Sequence, residues 1–137
     1  MAKQPVGGSE PAGSYSAGII AEGRFLYVSG QGPFRDGALA GTSIEEQTRV
    51  ALGNLAAVLE STGVSLADVV RCEVFLADVR DFAAMDKVYA DMFPRPLPAR
   101  TTVGVAFPLP EMLVEIDCVA VLPSTKLAGN GSGQPAG

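Results

Sequence analysis

The spacing of apolar positions changes several times along this chain, and each change marks an element. Residues 68–78, "DVVRCEVFLAD", alternate: Val70, Cys72, Val74 and Leu76 fall on one side, Arg71 and Glu73 on the other. That period of two predicts a strand with one buried face. Residues 42–63, "TSIEEQTRVALGNLAAVLESTG", switch to helical spacing, with Ile44, Val50, Ala51, Leu55, Val58 and Leu59 on one stripe. Ser43 with Glu46 forms a capping box at its start, and Gly63 marks its stop. In "RDFAAMDKVYADMF" the spacing of Phe82, Met85, Val88, Tyr89 and Met92 predicts a second helix, with Asp81 as candidate N-cap.

The remaining segments are short. "SYSAGII" and "RFLYVSG" read as strands joined by a tight turn at Glu22-Gly23, and "FRDGALAG" carries a second turn at Asp36-Gly37. "PRPLPAR" holds three prolines, which remove donors and fix φ, so it is irregular. Two strands follow, at about 101–107 and 112–122. Residues 1–13 are rich in Gly, Pro and Ala and read as a flexible arm; 123–137 read as a flexible Gly/Pro/Ser-rich tail. The folded domain is then 14–122, in the order ββ(β)αβαββ. Two helices cannot cover both faces of such a sheet, so they gather on one, an α+β arrangement.

The open face raises the chemical question. In 112–122, Val114, Ile116, Cys118 and Ala120 share a uniformly apolar side, while Leu113, Glu115, Asp117, Val119 and Val121 share the other. In the preceding strand Thr101, Val103, Val105 and Phe107 are assigned to the helices, so Arg100, Thr102, Gly104 and Ala106 look away. A face that mixes Leu, Val and Ala with a few charges reads as a subunit interface with polar positions left in it. Arg100 offers a planar fork suited to a carboxylate, and Glu115 a proton acceptor. The competing reading is an Arg–Glu ion pair that pins strands or subunits, and register decides whether the two meet.

Composition removes several classes. The 137 residues fit one domain; 47% are hydrophobic and 18% charged. A net charge of −5 with no basic cluster disfavours nucleic acid. There is no histidine, so Ser–His and Cys–His pairs are excluded, along with the usual zinc and copper sites. Cys72 and Cys118 read as small buried hydrophobes. No apolar run approaches the length of a membrane span, and the N-terminus lacks a secretory pattern; the expected location is cytoplasmic.

The chain resembles the RidA (YjgF/YER057c/UK114) reactive-intermediate deaminase family over roughly residues 10–122. The resemblance lies in "YSAGIIAEGRFLYVSGQGPF", in residues 45–93, in "PARTTVGVAFP" and in "VEIDCVAV". It implies a chorismate-mutase-like α+β fold and a homotrimer around a central barrel, with a cleft at each subunit interface. It implies cofactor-independent hydrolysis of 2-imino acids to 2-oxo acids and ammonia. The carboxylate-binding arginine falls on Arg100, the water-handling glutamate on Glu115 and the aromatic cleft residue on Tyr15. Ser29 and Gly30 supply the strand end that contacts ligand. Three positions depart from the family pattern: Thr102 replaces a Cys, Ser14 a Pro and Asp86 an Asn. Thr102 keeps a small polar contact, whereas Asp86 adds an acid near the cleft. Substrate identity is therefore open. The alternatives are a carboxylate-binding module without turnover and an endoribonuclease or translation inhibitor; low pI and the lack of histidine speak against the latter.

Overall fold

The computed structural model describes residues 3–123. Its strands are β1 (Lys3–Val6), β2 (Gly18–Ala21), β3 (Phe25–Gln31), β4 (Phe34–Arg35) and β5 (Ala38–Leu39), followed by α1 (Ile44–Glu60), β6 (Val69–Leu76), α2 (Phe82–Met92), β7 (Ala99–Gly104) and β8 (Val114–Val121). Four strands form the main sheet in the order β3-β8-β6-β7, with β6–β7 the parallel pair. Both helices cover one face, where Leu52, Leu55 and Leu59 of α1 and Met85 and Tyr89 of α2 join Cys72, Val74, Ile116 and Cys118 in one core. This is the α+β arrangement that the pattern predicts.

The capping box is present: Ser43 Oγ accepts from Glu46 N–H at 3.1 Å, and the Glu46 carboxylate accepts from Ser43 N–H at 3.2 Å. Gln47 and Thr48, outside the apolar stripe, are also buried. Gln47 explains itself by what it bonds: its Nε2 donates to the Gly41 and Glu111 carbonyls, and its Oε1 accepts from Leu113 N–H at 2.7 Å. It ties the entry of β8 to the helix, and a buried amide so satisfied costs little. Asp81 stands at the N-cap of α2 but makes no side-chain capping bond; Asp78 caps the short turn before it.

Four expectations are corrected. The Glu22-Gly23 turn exists, with Gly23 at φ +134°, but it does not close a hairpin: β2 pairs with β1 and β3 with β8. Lys3–Val6, inside the segment read as an arm, is that partner, anchored by Lys3 Nζ donating to the Val69 carbonyl at 2.7 Å. A register shift between Val69 and Arg71 buries Val69 and leaves Val70 half-buried. Finally, the faces of β7 are reversed. β7 runs parallel to β6 with Arg100 beside Cys72, Thr102 beside Val74 and Gly104 beside Leu76. Arg100 and Thr102 therefore face the helices, and Val103, 43% exposed, looks away. Apolarity misleads here because β7 is an edge strand whose charged residue has partners inside the molecule. The tail beyond residue 123 lies outside the described residues.

Candidate functional site

Arg100 sits at the meeting of β7, α2 and the segment before β2. Its side chain has no exposed surface, and its Nη1 is 2.7 Å from Asp86 Oδ1. Nη1 also approaches the Ser14 carbonyl at 3.4 Å. Three rings surround the guanidinium: Tyr89 at 4.6 Å, Tyr15 at 5.2 Å and Phe82 at 5.4 Å from their centroids. Such rings stabilise a cation that has lost its water. Gly13 lies so close that a Cβ there would stand 2.9 Å from Nη2.

Asp86 is the hub of this cluster. Besides Arg100 it accepts from Ser14 N–H at 3.0 Å and from Ser14 Oγ at 2.8 Å. Burial by itself would raise its pKa, but the Ser14 hydrogen bonds and Arg100 outweigh that and hold it below the ordinary carboxylate value. The hub is ionised at neutral pH. Two donors of Arg100, Nε and Nη2, are buried without a partner, as is the Thr102 hydroxyl. Nε and Nη2 form one edge of the guanidinium fork, the edge that binds a carboxylate through two parallel bonds.

Glu115 belongs to a different place. It is aligned with Phe75 on β6, which is aligned with Val103 on β7, both on the face away from the helices. Arg100 is aligned with Cys72, itself aligned with Cys118, and faces the helices. Two strand spacings and three residues put the two Cα positions on the order of 14 Å apart. Their side chains leave opposite faces. Beside Glu115 the pairing of β3 with β8 slips between Val28 and Gln31, a bulge that contains Ser29 and Gly30. A methyl group built at Gly30 would overlap the Glu115 carboxylate. The bulge thus seats Glu115, and only a residue without Cβ allows it. We expect Gly30→Ala to shift the flexible Glu115 side chain rather than the strand: unfolding in urea changes little, while activity depending on Glu115 falls at least tenfold.

The seven residues singled out from the sequence therefore form two groups. Tyr15, Asp86, Arg100 and Thr102 converge at the sheet edge; Ser29, Gly30 and Glu115 converge on the open face. Sequence reasoning missed Phe82 and Tyr89 as walls of the arginine cage, taking them as core. The signal was present: Phe82, Asp86 and Tyr89 are spaced i, i+4, i+7, which places an acid inside an aromatic stripe.

The cysteines are free thiols in the core. Burial pushes Cys72 up to about 12 and also raises Cys118, so neither is a thiolate at neutral pH. On the open face, Tyr27, Arg71, Glu73, Asp117 and Val119 line a shallow cavity of about 250 Å³. Tyr27 is 75% exposed, and Phe25 also reaches solvent. Asp117 lies directly across from Glu73 and accepts its backbone N–H at 3.0 Å. Burial first, then the hydrogen bond and charge of Glu73, push Asp117 up to about 6.

A carboxyl whose folded pKa exceeds its unfolded value near 3.8 favours folding only while protonated. Its penalty is absent below pH 4, grows between 4 and 6, and is full above 6. Asp117→Asn, which keeps the acceptor for Glu73 N–H, should raise the melting temperature at pH 8 and leave it unchanged at pH 4. Melting curves at the two pH values check this; an equal gain at both would contradict it.

Comparison with known proteins agrees with this architecture. The family described as Endoribonuclease L-PSP matches residues 7–122. "Protein mmf2, mitochondrial" of Schizosaccharomyces pombe is 41% identical over 125 residues, 88% of this chain and 98% of that protein. "Reactive Intermediate Deaminase A, chloroplastic" of Arabidopsis thaliana is 35% identical over 80% of this chain and 59% of its own length. Among solved structures, Escherichia coli TdcF with bound serine superposes with a TM-score of 0.67 at 29% identity, covering 87% of this chain and 94% of that one. The chain belongs to the Endoribonuclease L-PSP family, which includes the YjgF and RidA proteins. Among the described residues no helix is long and apolar enough to cross a membrane.

Proposed function

We propose that this protein hydrolyses reactive 2-imino acids to 2-oxo acids and ammonia, in clefts between protomers of a homotrimer. The observation that supports it best is the division of the site. A buried arginine edge lacks a partner on one side of the sheet, and a seated carboxylate waits on the other. One chain cannot apply both to one small molecule, whereas the open face of a second copy can bring Glu115 to the Arg100 edge. The mixed apolar and charged character of that face suits burial against another protomer.

In this reading the Nε–Nη2 edge of Arg100 grips the substrate carboxylate, and Tyr15 and Thr102 bound the cleft. The backbone at Ser29 and Gly30 contacts the ligand beside Glu115 of the partner subunit. That carboxylate takes a proton from water as the oxygen bonds to the imine carbon. It returns that proton to nitrogen, giving a carbinolamine; the same carboxylate then carries the proton of the new hydroxyl to the amine as the C–N bond breaks, so ammonia departs and a 2-oxo acid remains. The reaction needs no cofactor, and the reading keeps the cytoplasm as the compartment.

Serine in the related TdcF favours a second reading, in which the cleft holds small carboxylates without turnover. Ammonia release from freshly generated 2-iminopropanoate separates the two. Release no faster than in buffer would leave the binding reading. Ribonuclease activity would require an anionic chain with net charge −5 to hold a polyanion.

A further inference from the structure

Asp86 neutralises the Arg100 guanidinium, yet leaves its carboxylate-binding edge without a partner. Its Oδ1 holds Nη1 at 2.7 Å, while Nε and Nη2 remain without partners. A plain anion approaching that edge meets a net-neutral pair rather than a bare cation. The Asp86 carboxylate, 19% exposed and one guanidinium width away, repels it. A molecule that carries its own positive nitrogen beside its carboxylate escapes this penalty, because that nitrogen is attracted to the same acid.

Resting on the deaminase reading above, we infer that Asp86 is a specificity-determining residue that selects net-neutral 2-iminium and 2-amino acids over anionic 2-oxo acids. The chemistry gives the selection a use. The iminium form of the substrate is a zwitterion, R–C(=NH2⁺)–COO⁻. Adding water and losing ammonium leaves R–CO–COO⁻, an anion with no compensating nitrogen. The charge that Asp86 welcomes departs with the ammonium, and the remaining product faces repulsion. Asp86 thus favours substrate entry and product release with one fixed charge. A role confined to fastening the Ser14 segment would need no charge, since the neutral amide of the same shape keeps the Oδ1 acceptor for Ser14 N–H and can donate from its nitrogen to Ser14 Oγ, the reverse of the present bond.

Asp86→Asn is therefore the test, because Oδ1 can still accept from Arg100 and Ser14 N–H. Calorimetric titration uses alanine as the zwitterion and pyruvate as the anion. Wild type should prefer alanine. In Asp86→Asn, pyruvate should bind about tenfold more tightly while alanine changes much less, so the ratio shifts by roughly an order of magnitude. Pyruvate binding should also become salt-sensitive in the variant and remain nearly salt-insensitive in wild type. An unchanged ratio, or no measurable binding of either ligand to wild type, overturns the inference. Arg100→Ala serves as the separate control: if it binds both ligands as wild type does, the site itself is wrong, whatever Asp86 does.

Discussion

Arg100→Ala should reduce kcat/KM for a 2-imino acid by roughly a hundredfold to ten-thousandfold. Two charge-assisted hydrogen bonds from the Nε–Nη2 edge are worth about 1.5–3 kcal/mol each. The substitution should also lower stability, and the two effects have different causes. Removing the guanidinium empties a cage of three rings and leaves Asp86 with Ser14 alone for company. Breaking a fully buried pair costs about 3–5 kcal/mol; Asp86 keeps some contact with water, so about 2–4 is expected. Adding Asp86→Asn to Arg100→Ala should recover part of the stability and none of the turnover. Urea unfolding and ammonia release measured on the same preparations check both. Full turnover in a folded Arg100→Ala protein would end the proposed mechanism.

Glu115→Gln should cost a similar or larger factor, about 10²–10⁴ in kcat, with little change in stability. The amide fits the space beside Gly30 but cannot take a proton from water. The geometry adds a sharper expectation. Arg100 and Glu115 lie on opposite faces of the sheet, so the proposed composite cleft would draw them from different protomers. Co-expressed Arg100→Ala and Glu115→Gln chains, each inactive alone, should then recover activity. With random assembly at equal amounts, half the clefts receive an intact Arg100 and half of those an intact Glu115. Roughly one quarter of wild-type activity is expected from such a head-to-tail interface. Mixed oligomers as inactive as the parents would mean that the two residues do not share a cleft.

Much of the fold was legible locally. The capping box at Ser43, the turn at Asp36-Gly37, and the alternation of Cys72, Val74 and Leu76 are written in neighbouring residues, and all three form as the pattern predicts. Val114, Ile116 and Cys118 face the core for the same reason. What failed depended on distant partners. Nothing near Lys3 says that it pairs with Ala21, and nothing near Gly18 forbids a hairpin with β3. The orientation of β7 failed because Val103 looked like core and Arg100 like surface. Burial of Arg100 is made possible by Asp86, fourteen residues earlier, by two rings of the same helix and by Tyr15 from the segment before β2.

By itself the sequence determined the helices, the apolar side of the sheet and the residue types able to handle a small acid. These follow from side-chain periodicity and from the absence of histidine, properties of the chain alone. The tertiary structure decided which face each charged group occupies, that Asp86 pairs with Nη1 of Arg100 and leaves the Nε–Nη2 edge buried without a partner, and that Arg100 and Glu115 stand apart within one chain. Strand register and the pairing of an edge strand set those outcomes. Both are fixed by contacts between segments far apart in the chain, where local pattern carries no information.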